Sequence, residues 1–213
     1  MIYPQIKVKD ADITRSKHLK QDLFYLKESI LAFIPKNYNP KRLHKLRIRI
    51  FPFPRNENCN EYFFRKNNRK YICLDAHLLS RNYYTSLQYI LHGIAHTFCF
   101  LKHDISEEVF CEYVSYSILN EFLREKGEKF NRRIIKSMMN ASPREYNIYF
   151  RAGRKLDKKE KNILLKLNSK AKNRKLSKKK EKQVFSRLLK LKKINENDSF
   201  YDIPELERGF KTV

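Results

Sequence analysis

The sequence lacks three features that would assign it to familiar classes of protein. Its four cysteines show no CxxC spacing, which argues against a zinc ribbon and against a thioredoxin-like motif. It has no uninterrupted apolar run near 18 residues, and charges at positions 7, 9 and 10 replace the apolar segment of a secretion signal. We therefore expect a cytoplasmic protein with no membrane span.

The cysteines leave two interpretations open. Cys59 and Cys73 flank a segment typical of a β-hairpin, so a disulfide across that hairpin is one of them. The other is that all four are buried free thiols, which a reducing compartment favours.

Acidic residues are also scarce, with 23 Asp+Glu against 47 Lys+Arg and a net charge of +24. The excess is concentrated in residues 151–193, which contain 19 Lys+Arg and 3 Asp+Glu and so carry +16 of that total. A field of this size attracts polyanions without specific contacts. Nucleic acid, an anionic membrane surface and acidic proteins are therefore candidate partners.

The first half of the chain shows both helical and strand periodicity. Apolar residues at three- and four-residue steps predict an amphipathic helix over 15–34, ended by Pro35. Alternating basic and apolar residues predict a strand over 45–51. Two aromatic and β-branched runs within 61–75 are joined through Asn67-Asn68, which predicts a β-hairpin.

Two long helices are predicted next. Residues 85–101 are apolar nearly all round, which is typical of a helix buried on most sides. The second helix has Ser106 as its expected N-cap and ends at Gly127. A shorter basic helix over 129–140 and an extended segment over 142–150 complete a predicted domain spanning residues 1–150.

Residues 151–213 are predicted to form a basic helical C-terminal extension. Two similar stretches in it, beginning at 156 and 176, have the spacing of short amphipathic helices. Such helices suit contact with the phosphate backbone of DNA or RNA, although a charged face that packs back on the core is the alternative. The candidate contacts are Lys158, Lys159, Lys161, Lys172, Arg174, Lys175, Lys178, Lys179, Lys180 and Arg187.

A pair of histidines is the strongest chemical signal. His92 and His96 lie four residues apart in the predicted buried helix, so both imidazoles share one face and suit two corners of a tetrahedral zinc site. A buried imidazole without a partner costs about 1–3 kcal/mol, so the two residues need a shared partner. We predict Zn²⁺ as the cofactor; the alternative is hydrogen bonding to carboxylates across the core without metal.

The order hairpin, His92-Gly93-Ile94-Ala95-His96 helix, and Glu-bearing helix resembles the zincin metallopeptidases, especially their gluzincin-like members, over residues 45–126. The resemblance implies an α+β fold with a small antiparallel or mixed sheet, a hairpin, an active-site helix and a following helix that carries a glutamate. It also implies a peptide or protein ligand in a cleft beside the zinc.

In the gluzincin branch the third zinc ligand is a glutamate on the following helix, and the resemblance gives that role to Glu112. Glu108, one turn earlier, is the fallback. A metzincin-like alternative would use His103, but the spacing is one residue too long and the glycine of that motif is missing.

Gly93 stands where the family has the glutamate that polarises the attacking water. Three explanations remain open: a member without activity, a variant made inactive, and a base supplied from elsewhere. We expect a zinc-binding, metallopeptidase-like protein with impaired or no proteolysis. The alternative is a nucleic-acid-binding protein that acts through its basic C-terminal helices, with the zincin-like part as a scaffold.

Overall fold

The computed structural model describes residues 5–9, 12–35, 43, 45–54, 61–67, 69–102, 104–126 and 158–191. Within them the fold is α+β, with four strands and seven helices. In chain order these are β1 (Gln5–Val8), α1 (Ile13–Tyr25), α2 (Lys27–Phe33), β2 (Leu46–Phe51), β3 (Glu61–Lys66), β4 (Arg69–Asp75), α3 (Ala76–Arg81), α4 (Tyr83–Phe98), α5 (Asp104–Glu125), α6 (Lys158–Lys172) and α7 (Lys178–Leu191).

The four strands form one mixed sheet in the order β1-β2-β4-β3. β1, β2 and β4 are parallel, and β3 is antiparallel to β4 at the edge. Leu46, Ile48 and Ile50 of β2 are buried and alternate with more exposed residues, which confirms the predicted strand with one wet face. The short elements β1 and α3 were not predicted.

The predicted hairpin is confirmed as β3 and β4. Asn67 in the turn has φ 49°, the left-handed conformation that asparagine tolerates. Phe63 pairs with Ile72, and Ile72 is fully buried. On the other face of the sheet the Arg49 guanidinium lies 4.8 Å from the centre of the Tyr71 ring, so β4 is covered on both sides.

Two predicted boundaries are corrected. The helix expected over 15–34 is two helices, because the chain bends at Leu26 between α1 and α2. α5 begins at Asp104, so Ser106 is not its N-cap but a buried residue of the first turn. The segments predicted over 129–140 and 142–150 lie outside the described residues.

Three of the cysteines lie within the described residues. Cys73, Cys99 and Cys111 are buried free thiols, as the favoured interpretation of the sequence has it. Cys59 lies outside the described residues.

Both predicted C-terminal helices are present as α6 and α7, and they pack on the same hydrophobic core as the rest of the chain. Their apolar contributions to that core are Leu164, Leu167, Ala171, Leu176 and Phe185. No helix among the described residues is long and apolar enough to cross a membrane.

Polar contacts fix the C-terminal helices to the end of α4. Asn168 is fully buried, and its amide donates to Phe98 O at 2.9 Å and accepts from Phe100 N at 2.7 Å. The buried Glu181 carboxylate accepts from Lys102 N at 3.0 Å. These side chains satisfy one carbonyl at the end of α4, which has no helical partner, and two N–H groups of the connection to α5.

Removing the Asn168 amide tests this attachment. We expect Asn168→Ala to lower the free energy of unfolding by about 2–4 kcal/mol, because two buried backbone groups lose their partners. Chemical denaturation measures the change. Asn162→Ala, at an exposed position of the same helix, is the matched control and should change stability by less than about 0.5 kcal/mol. Equal effects of the two substitutions would contradict the assignment.

Candidate metal centre

α4 is the element that positions the histidine pair. It lies against β3 and β4 on one side and α5 on the other, and His92 and His96 are only 6% and 8% exposed. The Lys70 ammonium of β4 donates to Thr97 O at 2.6 Å and ties the C-terminal turn of α4 to the sheet. The packing of α4 against the sheet and α5 therefore fixes the position of both imidazoles.

The Nε2 atoms of the two imidazoles lie together, in hydrogen-bond contact with each other. The two Nε2 atoms of His92 and His96 are 2.9 Å apart. Opposite them, Glu108 places Oε2 3.3 Å from His92 Nε2 and Oε1 3.6 Å from His96 Nε2. Ligand atoms of these three residues all lie within 4.8 Å of one another, so the group could hold a metal ion.

The other nitrogen of each imidazole faces a different carboxylate of α5. His92 Nδ1 lies 3.3 Å from Glu112 Oε1, and His96 Nδ1 lies 2.9 Å from Glu107 Oε1. The second oxygen of Glu112 accepts from the Gln88 side chain at 2.9 Å. Histidines that bind metals are commonly oriented in this way, with the distal nitrogen held by a carboxylate.

This arrangement would stabilise a cation at the centre. If each Nδ1 donates its proton in a hydrogen bond to its own carboxylate, both Nε2 atoms present lone pairs to each other and to Glu108. A proton can separate them: burial alone would lower the pKa of His92, but Glu112 and Glu108 outweigh it and hold that pKa well above its ordinary value. A divalent ion would supply more charge in the same place.

The donor set also has suitable spacing for zinc. Tetrahedral bonds of about 2.0–2.1 Å place neighbouring ligand atoms roughly 3.3 Å apart. The observed separations of 2.9, 3.3 and 3.6 Å lie around that value. The three side chains therefore fit a small divalent ion without large movement.

The structure brings together both predicted histidines and distinguishes the two glutamates. Glu108, the fallback ligand, faces the Nε2 atoms, whereas Glu112 faces the outer nitrogen of His92. The spacing of the glutamates along α5 could not separate these positions. His103 lies outside the described residues.

Gly93 marks a close approach between α4 and the sheet. A Cβ atom at position 93 would lie 2.7 Å from Glu61 Oε1 and 2.7 Å from Ile72 Cγ1, well inside normal contact. The lack of room explains a glycine in a helix interior, where it costs about 1 kcal/mol relative to alanine. The Glu61 carboxyl group of β3 therefore lies beside the place that a Cβ at position 93 would take.

Glu61 is a further residue of this region that local sequence patterns did not predict. Its only local signal is that it is the one acidic residue in the aromatic and basic strand β3. Burial raises the pKa of its carboxyl to about 8, with His92 opposing the rise and Glu108 and Glu112 adding to it. The Glu61 carboxyl therefore lies near the cluster that contains His92, Glu108 and Glu112.

The wall of the site on this side is also formed by β3. The Phe63 ring stacks on the His96 imidazole with 5.1 Å between ring centres and 17° between planes. This contact fixes the plane of the His96 ring, and it places an apolar surface beside the polar cluster.

The structure also locates the predicted phosphate contacts. Arg174, Lys175, Lys178, Lys179 and Lys180 are exposed, in the α6–α7 connection and the first turn of α7. Lys161 and Lys172 are half-buried and lie over the Phe33 and Phe100 rings, at 4.3 and 5.5 Å from the ring centres. Lys158, Lys159 and Arg187 belong to α6 and α7, but their side chains are outside what the structure describes.

The close approach at Gly93 gives a test by substitution. We expect Gly93→Ala to lower the free energy of unfolding by about 1–2 kcal/mol, because overpacking against Ile72 outweighs the better helix propensity. In an Ile72→Ala background the same substitution should stabilise, since the added methyl group enters vacated space. Thermal and chemical denaturation of the four proteins complete the cycle. A stabilising Gly93→Ala in the parent protein would show that the approach is not tight.

No family model, curated protein or solved structure matches this chain. The chemistry of the site therefore follows from the positions of His92, His96, Glu108 and the side chains around them. The resemblance to zincins likewise depends on the motif and on the order of the elements.

Proposed function

We propose that this protein binds zinc in a metallopeptidase-like site whose ligands are His92, His96 and Glu108. The observation that carries the proposal is the convergence of two Nε2 atoms on one carboxylate within 4.8 Å. The hydrogen bond between His96 Nδ1 and Glu107 supports it, because it favours the tautomer that leaves Nε2 available to a metal. Glu112 lies 3.3 Å from His92 Nδ1, in ion-pair contact without a hydrogen bond.

Two imidazoles and one carboxylate form the ligand set of many catalytic zinc sites, which keep a further position for water. The same set also binds non-haem iron. The arrangement of two histidines four apart on α4, with the glutamate on the next helix, favours zinc by its resemblance to gluzincins. When bound, the ion would act as a Lewis acid and lower the pKa of a water molecule to about 7.

A peptide in extended conformation is the ligand class that we propose for the cleft. Among the described strands, β3 is the edge strand next to the histidine pair, and Phe63 of that strand contacts His96. An extended chain can add to such an edge through backbone hydrogen bonds. The amide groups of that chain would then lie beside the metal ligands.

Metal analysis of the purified full chain tests the proposal. We expect close to one zinc ion per chain, and loss of stoichiometric zinc in His92→Ala, His96→Ala and Glu108→Ala. Glu112→Gln should keep the ion but bind it about 10–100-fold more weakly, because Glu112 only orients a ligand. Elemental analysis and competition with a chelator give both quantities.

His18→Ala, at an exposed position of α1, is the matched control and should retain full zinc. Stoichiometric iron would change the identity of the metal but keep the ligands. Absence of any metal after purification and after reconstitution would contradict the proposal.

We propose nucleic-acid binding as a second candidate function, because of the charge where α7 begins. Lys178, Lys179 and Lys180 are exposed in its first turn, next to Arg174 and Lys175. Cations at a helix N-terminus oppose the helix dipole, so these residues do not serve helix stability. A phosphate group would be stabilised there by both the dipole and the lysines.

Neutralising this cluster tests the second function. We expect Lys178→Ala/Lys179→Ala/Lys180→Ala to weaken binding to a DNA duplex and to reduce the slope of log affinity against log salt by about 2 to 3. Fluorescence anisotropy over a salt series measures both. Lys17→Ala/Lys20→Ala, at exposed positions of α1, is the control. Equal salt slopes for the triple-lysine variant and the control would show that this lysine cluster does not contact DNA.

A further inference from the structure

The space that a side chain at position 93 would need is filled from the sheet. Glu61 Oε1 lies 2.7 Å from the place of a Cβ on Gly93, and Ile72 Cγ1 also lies 2.7 Å from it. The glycine and the glutamate are 32 residues apart in the sequence, but they meet because β3 passes over α4 beside the histidines. A carboxylate is therefore present where the helix itself provides none.

Glu61 is close to the ligands without being one of them. Its carboxyl lies near enough to His92, Glu108 and Glu112 to interact with them electrostatically. It is not among the three side chains whose ligand atoms meet within 4.8 Å. A proton acceptor needs this position, because a carboxylate bound to the metal would be less able to take a proton from water.

We propose that Glu61 is the general base of this site and that the protein hydrolyses peptide bonds with a carboxylate supplied by strand β3. The inference rests on the proposed function, since it needs the zinc ligands in place. It differs from the expectation that Gly93 makes the protein inactive.

The chemistry is the addition of water to an amide. Burial raises the pKa of Glu61, and the charge of a bound divalent ion would favour its carboxylate form. The Glu61 carboxylate takes one proton from the water molecule, and the oxygen of that water forms a bond to the carbonyl carbon. The C–N bond then breaks, and the proton held by Glu61 passes to the leaving nitrogen. The products are a carboxylic acid and an amine, which exchange a proton to become a carboxylate and an ammonium group, and no other reactant is needed.

β3 can hold this base as firmly as a helix could. Glu61 pairs with Leu74 in the antiparallel ladder, and two residues further along Phe63 stacks on His96. The strand therefore fixes the backbone of Glu61 relative to the His96 ring. Positioned general bases contribute about 10²- to 10⁴-fold to rates.

The test compares zinc-loaded full-length protein with Glu61→Gln and Glu61→Ala. The control is Glu121→Gln, at an exposed position of α5. Three properties are measured: zinc content, hydrolysis of a mixture of quenched fluorescent peptides, and the affinity for acetohydroxamate by calorimetry. Acetohydroxamate is a small zinc-binding acid whose proton also needs an acceptor.

We expect Glu61→Gln to keep one zinc per chain, to lose at least 100-fold in kcat with little change in KM, and to bind acetohydroxamate at least tenfold more weakly. Glu61→Ala should behave in the same way, and Glu121→Gln should match the parent protein. The amide group introduced by Glu61→Gln has nearly the size of the carboxyl group that it replaces, so a loss of folding is not the expected cause.

The possible failures are distinguishable. If the parent protein holds no zinc, both the proposed function and this inference are contradicted. If zinc is bound but the parent protein does not hydrolyse any peptide, the inference alone is overturned. It is also overturned if Glu61→Gln leaves either kcat or the acetohydroxamate affinity unchanged.

Discussion

The contact between α4 and α5 contains a buried set of opposite charges that must balance. His92 and His96 on one helix meet Glu107, Glu108 and Glu112 on the other, and most of these side chains are shielded from water. Buried carboxylates are stable only when a cation or several donors compensate them. In this contact the Nε2 atoms of both rings lie beside Glu108, and a cation held there would offset the buried carboxylates.

The second constraint is the distance between α4 and the sheet. Ile72 and Gly93 meet at a separation that leaves no room for a Cβ, and the same approach brings Glu61 to the histidine cluster. A residue such as alanine at position 93 would push the helix away from β3 and β4. Gly93 places no side chain on the helix at this position, and it thereby leaves room for the Glu61 carboxyl group of β3.

The C-terminal helices support the same centre from a distance. Asn168 of α6 caps the end of α4 through the backbone of Phe98 and Phe100, shortly after His96 in the chain. Leu164 and Phe185 belong to the same core as α4 and α5. The basic composition of this part of the chain therefore coexists with a structural role, since its described basic side chains are exposed or half-buried while its apolar ones complete the core.

Local patterns in the sequence predicted most of the described elements and the histidine pair. The four-residue spacing of His92 and His96 fixes both rings on one helical face, and Asn67 fixes the turn of the hairpin, because both depend only on the backbone of neighbouring residues. The choice between Glu108 and Glu112 depends on how α5 is rotated against α4, which no spacing along α5 specifies. The approach of Glu61 to Gly93 was likewise decided by tertiary structure alone, because it arises from the packing of a strand on a helix 32 residues away.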